Sequence, residues 1–109
     1  MAEKFDFIIV GSGSAGCVLA NRLSKNPDNS VLLLESGGWD YNPWIHIPLG
    51  YGKHFDNPKV NWMYHSEPEL ETGNRKIFQP RGKIMGGSSS INGLVYIRGQ
   101  AEDYNRWDP

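Results

Sequence analysis

The chain has 109 residues and a formal net charge of −1, with three histidines and one cysteine. This length suits one small domain with a modest core. The near-neutral charge gives no case for nucleic acid or an anionic membrane as a partner, and no apolar run approaches a membrane span. One cysteine excludes an internal disulfide and an all-cysteine metal cage. The start lacks a signal-peptide pattern, so we expect a cytoplasmic protein.

The first apolar run, residues 7–10, leads directly into three spaced glycines. Four consecutive apolar residues predict a parallel strand that is buried on both faces. The spacing G-x-G-x-x-G follows at Gly11, Gly13 and Gly16. The first glycine permits a sharp turn, the second lets a pyrophosphate approach the backbone, and the third lets a helix pack close to the strand. Backbone N–H groups at the start of that helix suit a phosphate.

A second strand and an acidic residue continue this pattern. Apolar spacing predicts a helix as far as Leu23, followed by a turn at residues 26–29. Residues 31–34 predict a second apolar strand, which ends at Glu35, nineteen residues after Gly16. That spacing is close to the one expected for the acid that binds a ribose through its 2′- and 3′-hydroxyls, and such an acid repels a 2′-phosphate. The alternative is an ordinary strand–turn–helix with a surface glutamate.

Residues 41–80 are rich in proline and lack a sustained helical period. A plain NAD-binding domain would continue here with a second crossover helix, so the pattern instead indicates a long irregular excursion of the kind used for binding. Within it, residues 62–65 and 76–79 predict a short hairpin with a turn at residues 72–74. The three histidines lack zinc-motif spacing, so no metal site is expected.

A second glycine-rich loop follows the excursion. Gly86 and Gly87 precede three serines, any of which can cap a helix. The apolar residues Ile91, Leu94 and Val95 then predict one face of a second helix. This loop is another place to hold an anion or an electron-rich ring edge. The alternative is a flexible Gly/Ser loop.

Together the two glycine motifs resemble the amino-terminal part of the GMC oxidoreductases, the glucose–methanol–choline family of flavoenzymes. The family signature runs over residues 82–92 and on to Tyr96, Gly99 and Asn105, with Met85 where a branched aliphatic residue or Trp is usual. The amino-acid sequences of residues 11–24 and 42–50 are similar to those of the choline dehydrogenase and alcohol dehydrogenase branch of this family. The resemblance covers essentially all 109 residues.

The resemblance implies an α/β fold: a Rossmann-like FAD-binding βαβ unit with a long irregular excursion and a second Gly/Ser-rich loop and helix. Residues 1–109 would form the amino-terminal portion of an incomplete FAD-binding domain. The FAD would be non-covalent, because Ile91 stands where some members attach it through a histidine. The implied cofactor-binding residues are Gly11, Gly13, Ser14, Ala15 and Gly16 at the pyrophosphate, Glu35 at the ribose, Arg81, Gly82, Met85, Gly86 and Gly87 at the middle, and Asn92, Gly93, Leu94 and Val95 at the isoalloxazine ring.

The implied activity is oxidation of a small-molecule alcohol by hydride transfer to FAD. The family's catalytic histidine and its partner lie near the carboxyl terminus of much longer proteins, so we assign no catalytic residue here. We expect the chain alone to be an inactive fragment of a longer enzyme. Two alternatives stay open: an NAD-dependent dehydrogenase, which the excursion and the second loop disfavour, and a truncated, non-catalytic FAD-binding protein.

Overall fold

A computed structural model describes residues 3–107. Met1, Ala2, Asp108 and Pro109 lie outside the described residues. Met1 and Ala2 belong to the stretch from which we expect no signal peptide. No helix in the described part of the chain is both long and apolar enough to cross a membrane.

The chain begins with the strand–helix–strand unit that the sequence predicts. Strand β1 (Phe7–Val10) is followed by helix α1 (Ser14–Leu23) and strand β2 (Val31–Leu34). The two strands pair in parallel, from Phe7 opposite Val31 to Val10 opposite Leu34. Both carboxyl ends therefore lie at the same edge of the sheet, which is where α/β proteins bind ligands.

The predicted burial of β1 on both faces is wrong. Only Ile9 is buried, whereas Ile8 and Val10 are 61% and 84% exposed. Within residues 3–107 the sheet contains just these two strands, and α1 packs against both of them. An apolar strand needs layers on both faces and a neighbour at each edge to be fully covered.

The excursion is irregular, as predicted, but it contains two short helical segments that the sequence pattern did not indicate. Helix α2 (Pro43–His46) makes one turn, with the Asn42 side chain accepting a hydrogen bond from the Trp44 amide at 3.1 Å. A 3₁₀ helix follows at Pro48–His54. Each begins with proline, whose fixed φ suits a helix start.

The predicted hairpin is confirmed in a shorter form. Strand β3 (Tyr64–His65) pairs antiparallel with strand β4 (Phe78–Gln79). The connecting turn includes Gly73 and Asn74, both with positive φ, as a tight reversal requires.

The second predicted helix is absent over residues 91–100. A 3₁₀ turn spans Gly87–Ser90, and helix α3 begins only at Ala101–Asn105. Leu94 has a φ of +60°, which is incompatible with a right-handed helix. No side chain caps the 3₁₀ turn, so the predicted capping role of the serines is also wrong at this position.

A small core joins the excursion to the second glycine loop. Ile84 and Ile91 pack with Val60, and Ile45 lies against them. Beside Val60, the amide side chain of Asn61 is almost completely buried. Its nitrogen donates to Phe55 O at 2.8 Å, and its oxygen accepts from the amides of Met63 and Arg81 at 3.1 and 2.9 Å.

We expect Asn61→Ala to lower the free energy of unfolding by about 2–3 kcal/mol, because it leaves partly buried backbone groups of Phe55, Met63 and Arg81 without these partners. The measurement is the urea midpoint of the protein that carries this chain. Asn26→Ala is the control: the Asn26 side chain is exposed and accepts one bond within its own turn. A change below about 0.5 kcal/mol is expected there. Equal effects of the two substitutions would contradict the role of Asn61.

Candidate cofactor-binding site

The glycine turn after β1 is held by a carboxylate from the end of β2. Ser12 is fully buried. Its backbone amide and its hydroxyl both donate to Oε2 of Glu35, each at 2.8 Å. Because β1 and β2 are parallel and in register, the residues just beyond them meet at one edge. We call this pair of bonds the Ser12–Glu35 clamp.

The other oxygen of Glu35 fixes the loop that follows β2. Oε1 accepts from the Gly37 amide at 2.9 Å and lies 3.4 Å from the Ser36 hydroxyl. Partial burial raises the pKa of Glu35, but the hydrogen bonds from Ser12, Gly37 and Ser36 outweigh it, so the pKa lies below its ordinary value of 4.5. The carboxylate is therefore ionised at neutral pH.

The second glycine loop docks directly on the first. The Gly86 amide donates to Ser12 O at 3.0 Å and lies 3.2 Å from the Ser12 hydroxyl oxygen. The hydroxyls of Ser14 and Ser89 are also in contact. A Cβ atom added to Gly87 would lie 2.9 Å from the Cα of Gly13. The two motifs, which are far apart in sequence, therefore form one surface, and a side chain at residue 87 would push them apart.

The start of α1 is open. Gly13 occupies the N-cap position, no side chain in the described residues caps it, and the first turn has no acidic residue. A Cβ atom added to Gly13 would meet nothing within 4 Å, whereas one added to Gly16 would collide with the Gly11 carbonyl. Gly16 thus permits close helix–strand packing, and Gly13 leaves room above uncapped N–H groups. This cradle fits a phosphate.

A hollow of about 320 Å³ lies at the carboxyl ends of β1 and β2. Its wall consists of Val10, Gly11, Leu34, Glu35 and Ser36. The predicted ribose-binding acid therefore lines an open space beside the glycine turn. Oε2 already accepts two hydrogen bonds from Ser12, whereas Oε1 accepts one short bond from Gly37 and has only the longer Ser36 contact beside it. The capacity to accept from a hydroxyl in the hollow is therefore on Oε1.

A second hollow, of about 240 Å³, is lined by Arg81, Asn92 and Gly93, together with Phe55, Pro80, Ser88 and Ile91. Three of the predicted residues thus lie together. Leu94 and Val95 have exposed side chains, and neither lines this hollow or the one beside Glu35.

Two other predicted residues, Met85 and Gly82, make backbone contacts within the protein. Met85 N donates to Gly38 O at 2.9 Å, which ties the second loop to the loop after β2. A Cβ atom on Gly82 would collide with the Gly87 backbone.

Ser12 and Gly37 are the residues that sequence reasoning missed. Ser12 occupies a variable position of the glycine motif, so the motif carries no signal for it. Gly37 belongs to a loop whose only sequence signal is a pair of adjacent glycines. A Cβ atom at Gly37 would collide with the backbone of Lys83 and Ile84, which shows why that position needs glycine. Among residues 3–107, no group of three or more His, Cys, Asp or Glu side chains is placed to hold a metal ion.

The family model described as GMC oxidoreductase matches residues 5–109 of this chain. The chain belongs to the GMC oxidoreductase family. The resemblance drawn from the two glycine motifs is therefore confirmed, and with it the α/β class of this incomplete FAD-binding domain.

Among curated GMC relatives, an oxygen-dependent choline dehydrogenase of Rhizobium etli is 55% identical over 103 residues, covering 94% of this chain and 19% of that protein. An alcohol dehydrogenase [acceptor] of Pseudomonas putida is 55% identical over 104 residues, which cover 95% of this chain and 19% of that protein. The crystal structure of a pyridoxine 4-oxidase from Mesorbium loti is 38% identical with a TM-score of 0.84, covering 95% and 20%. The chain thus spans about a fifth of the length of these relatives.

The Ser12–Glu35 clamp makes stability depend on pH. Folding lowers the pKa of Glu35 below its ordinary value of 4.5. The contribution of the ionised Glu35 to the free energy of unfolding is therefore complete at pH values above 4.5, and it is lost as the pH falls through the pKa of the folded state. Glu35→Gln brings an NH₂ group against amide donors and does not titrate. We expect it to be less stable at neutral pH by about 1–3 kcal/mol and to lose less stability on acidification than the parent protein. Urea midpoints from pH 7 to about pH 3 measure both effects.

Glu67→Gln is the matched control, since Glu67 has an exposed side chain in the excursion. Its midpoints should follow those of the parent protein at every pH. If Glu35→Gln lost stability on acidification as steeply as the parent does, the clamp would not be the source of the pH dependence.

Proposed function

We propose that this chain is the amino-terminal, FAD-binding part of an enzyme that oxidises an alcohol by hydride transfer to the flavin. The observation that carries the proposal is the docking of the second glycine loop on the first at Ser12. That contact brings together the linings of two hollows: Gly11 lines the one beside Glu35, and Ser88 lines the one beside Arg81 and Asn92. An elongated dinucleotide has the corresponding sequence of parts: a ribose, a pyrophosphate and a ring system.

The pyrophosphate assignment is supported by the open start of α1. Residues Ser14, Ala15 and Gly16 form its first turn, where N–H groups lack intrahelical acceptors. These groups and the helix dipole favour an anion. The absence of a side chain at Gly13 leaves that space open, and the absence of one at Gly87 lets the second loop lie against Gly13.

The ribose assignment is supported by the charge and position of Glu35. An ionised carboxylate in a hollow at the strand ends accepts hydrogen bonds from a vicinal diol and repels a phosphate on the same sugar. It therefore favours an adenosine ribose over a 2′-phosphorylated one. This preference alone does not separate FAD from NAD; family membership and the second glycine loop favour FAD over the NAD-dependent alternative.

The assignments at the middle and the ring end depend on backbone and on one cation. Arg81 carries an exposed guanidinium beside the second hollow, where it can face an anionic group. Asn92 and Gly93 lie on the same wall. When bound, the flavin supplies the hydride acceptor. The contribution of these residues is to bind and orient it.

An alcohol substrate is supported by two of the relatives, which are a choline dehydrogenase and an alcohol dehydrogenase by name. Both names denote enzymes that act on a carbon bearing a hydroxyl group. No residue of this chain is proposed to take the proton from that hydroxyl. The longer protein would supply the base from residues outside positions 1–109.

We expect Glu35→Ala to weaken FAD binding by about 1–3 kcal/mol, because a charged acceptor is lost and the glycine turn loses its clamp. The measurement is a flavin fluorescence titration of the longer protein after removal of the cofactor. The matched control is Glu67→Ala, which removes an exposed carboxylate of the excursion and should leave the affinity unchanged. Unchanged FAD affinity in Glu35→Ala would contradict the ribose assignment.

Non-covalent attachment of the flavin is a separate prediction. Ile91, at the position where some family members have an attaching histidine, is 3% exposed and packs in the core with Val60 and Ile84. An alkyl side chain offers no nucleophile. Acid precipitation of the flavin-loaded protein should release free yellow FAD into the supernatant. Colour that stays in the pellet would overturn this prediction.

A further inference from the structure

His54 is the most completely buried histidine of the chain, and its chemistry is unused by the site described above. It ends the 3₁₀ helix at Pro48–His54 and is 1% exposed. Neither ring nitrogen has a hydrogen-bond partner within the described residues. An imidazole always carries at least one N–H donor, and a buried polar group without a partner is rare in native proteins. The two nitrogens therefore indicate a missing hydrogen-bonding group.

A small cavity adjoins this ring. Its volume is about 30 Å³, and its lining includes His54, Ser89, Ser90 and Asn92. This volume exceeds the roughly 10–15 Å³ that a cavity needs to hold one water molecule. The cavity therefore has room for a water molecule beside the His54 ring.

The polar lining can satisfy such a water. The Ser90 hydroxyl donates to Met85 O at 2.8 Å, so its oxygen keeps lone pairs that can accept. The Asn92 side-chain oxygen accepts from the Leu94 amide at 2.9 Å, and its NH₂ group remains available as a donor. With a ring nitrogen of His54, these groups give a water three partners, the usual number for a buried one.

We propose that this cavity binds one ordered water, which joins His54 to the loop at Ser90–Asn92. Asn92 also lines the larger hollow beside Arg81. His54 is then a positioning residue: through the water it fixes the second glycine loop against the 3₁₀ helix of the excursion. The proposal concerns the protein's own hydrogen bonds, so it stands or falls independently of which cofactor the site holds.

The first test is a crystal structure of the full-length protein at a resolution that shows ordered waters. The expected result is one water at hydrogen-bonding distance from a His54 nitrogen and from a polar atom of Ser90 or Asn92. A cavity that is empty, or a His54 ring bonded to a protein group instead of a water, would overturn the proposal.

The second test is hydrogen exchange at the amides of residues 86–92 in the cofactor-free full-length protein. His54→Leu removes both ring nitrogens and puts an apolar side chain in their place. We expect hydrogen exchange at residues 86–92 to accelerate on the order of tenfold in this variant, which corresponds to the loss of one hydrogen bond. The Asn side-chain amide can mimic one ring nitrogen and the Gln amide the other. We therefore expect one of His54→Asn and His54→Gln to restore slow exchange.

His65→Leu is the matched control. It makes the same change at an exposed histidine of β3 that packs against Phe78 and does not line the cavity. Its exchange at residues 86–92 should equal that of the parent protein. Acceleration in His54→Leu with no rescue by Asn or Gln would show that His54 acts by packing alone and would refute the proposal. If His54→Leu fails to fold, the crystal structure of the parent protein decides the question.

Discussion

The arrangement of this chain depends on one ionised carboxylate with protein donors on both of its oxygens. Oε2 of Glu35 holds the turn after β1 through Ser12, and Oε1 holds the loop after β2 through Gly37. Hydrogen bonds to a charged acceptor are stronger than neutral ones, and here they act in a partly buried position. Two separate loops thereby become one rigid edge, on which the Gly86 amide can dock.

The packing of the loops also requires that backbone segments approach each other closely. This requirement explains the positions of Gly37 and Gly87 better than local flexibility does. Gly37 passes the backbone of Lys83 and Ile84, and Gly87 passes Gly13. At both contacts a Cβ atom would force the segments apart. The resulting surface consists largely of main chain, so its shape depends on how the loops pack and less on the identity of exposed side chains. Such a surface suits a ligand that is recognised through backbone N–H groups.

The parts of the fold that follow local patterns could be predicted from the sequence. The apolar runs at residues 7–10 and 31–34 and the spacing between them gave β1, α1 and β2 correctly, and turn residues located the hairpin. The helix expected at residues 91–95 was wrong because periodicity does not report the left-handed conformation at Leu94. The docking of Gly86 on Ser12 was not predictable, since it joins residues that are 74 positions apart through main-chain atoms.

The two roles of Glu35, the observed clamp and the proposed ribose contact, also limit how the protein can be redesigned. In nucleotide-binding domains, exchange of the acid after the second strand is a direct way to accept a phosphorylated ribose. In this chain the same exchange would release Ser12 and Gly37 together, so cofactor preference and the shape of the loops cannot be altered separately at that position. An engineer would first have to give the Ser12 amide a new acceptor. Natural variation at residue 35 faces the same double constraint.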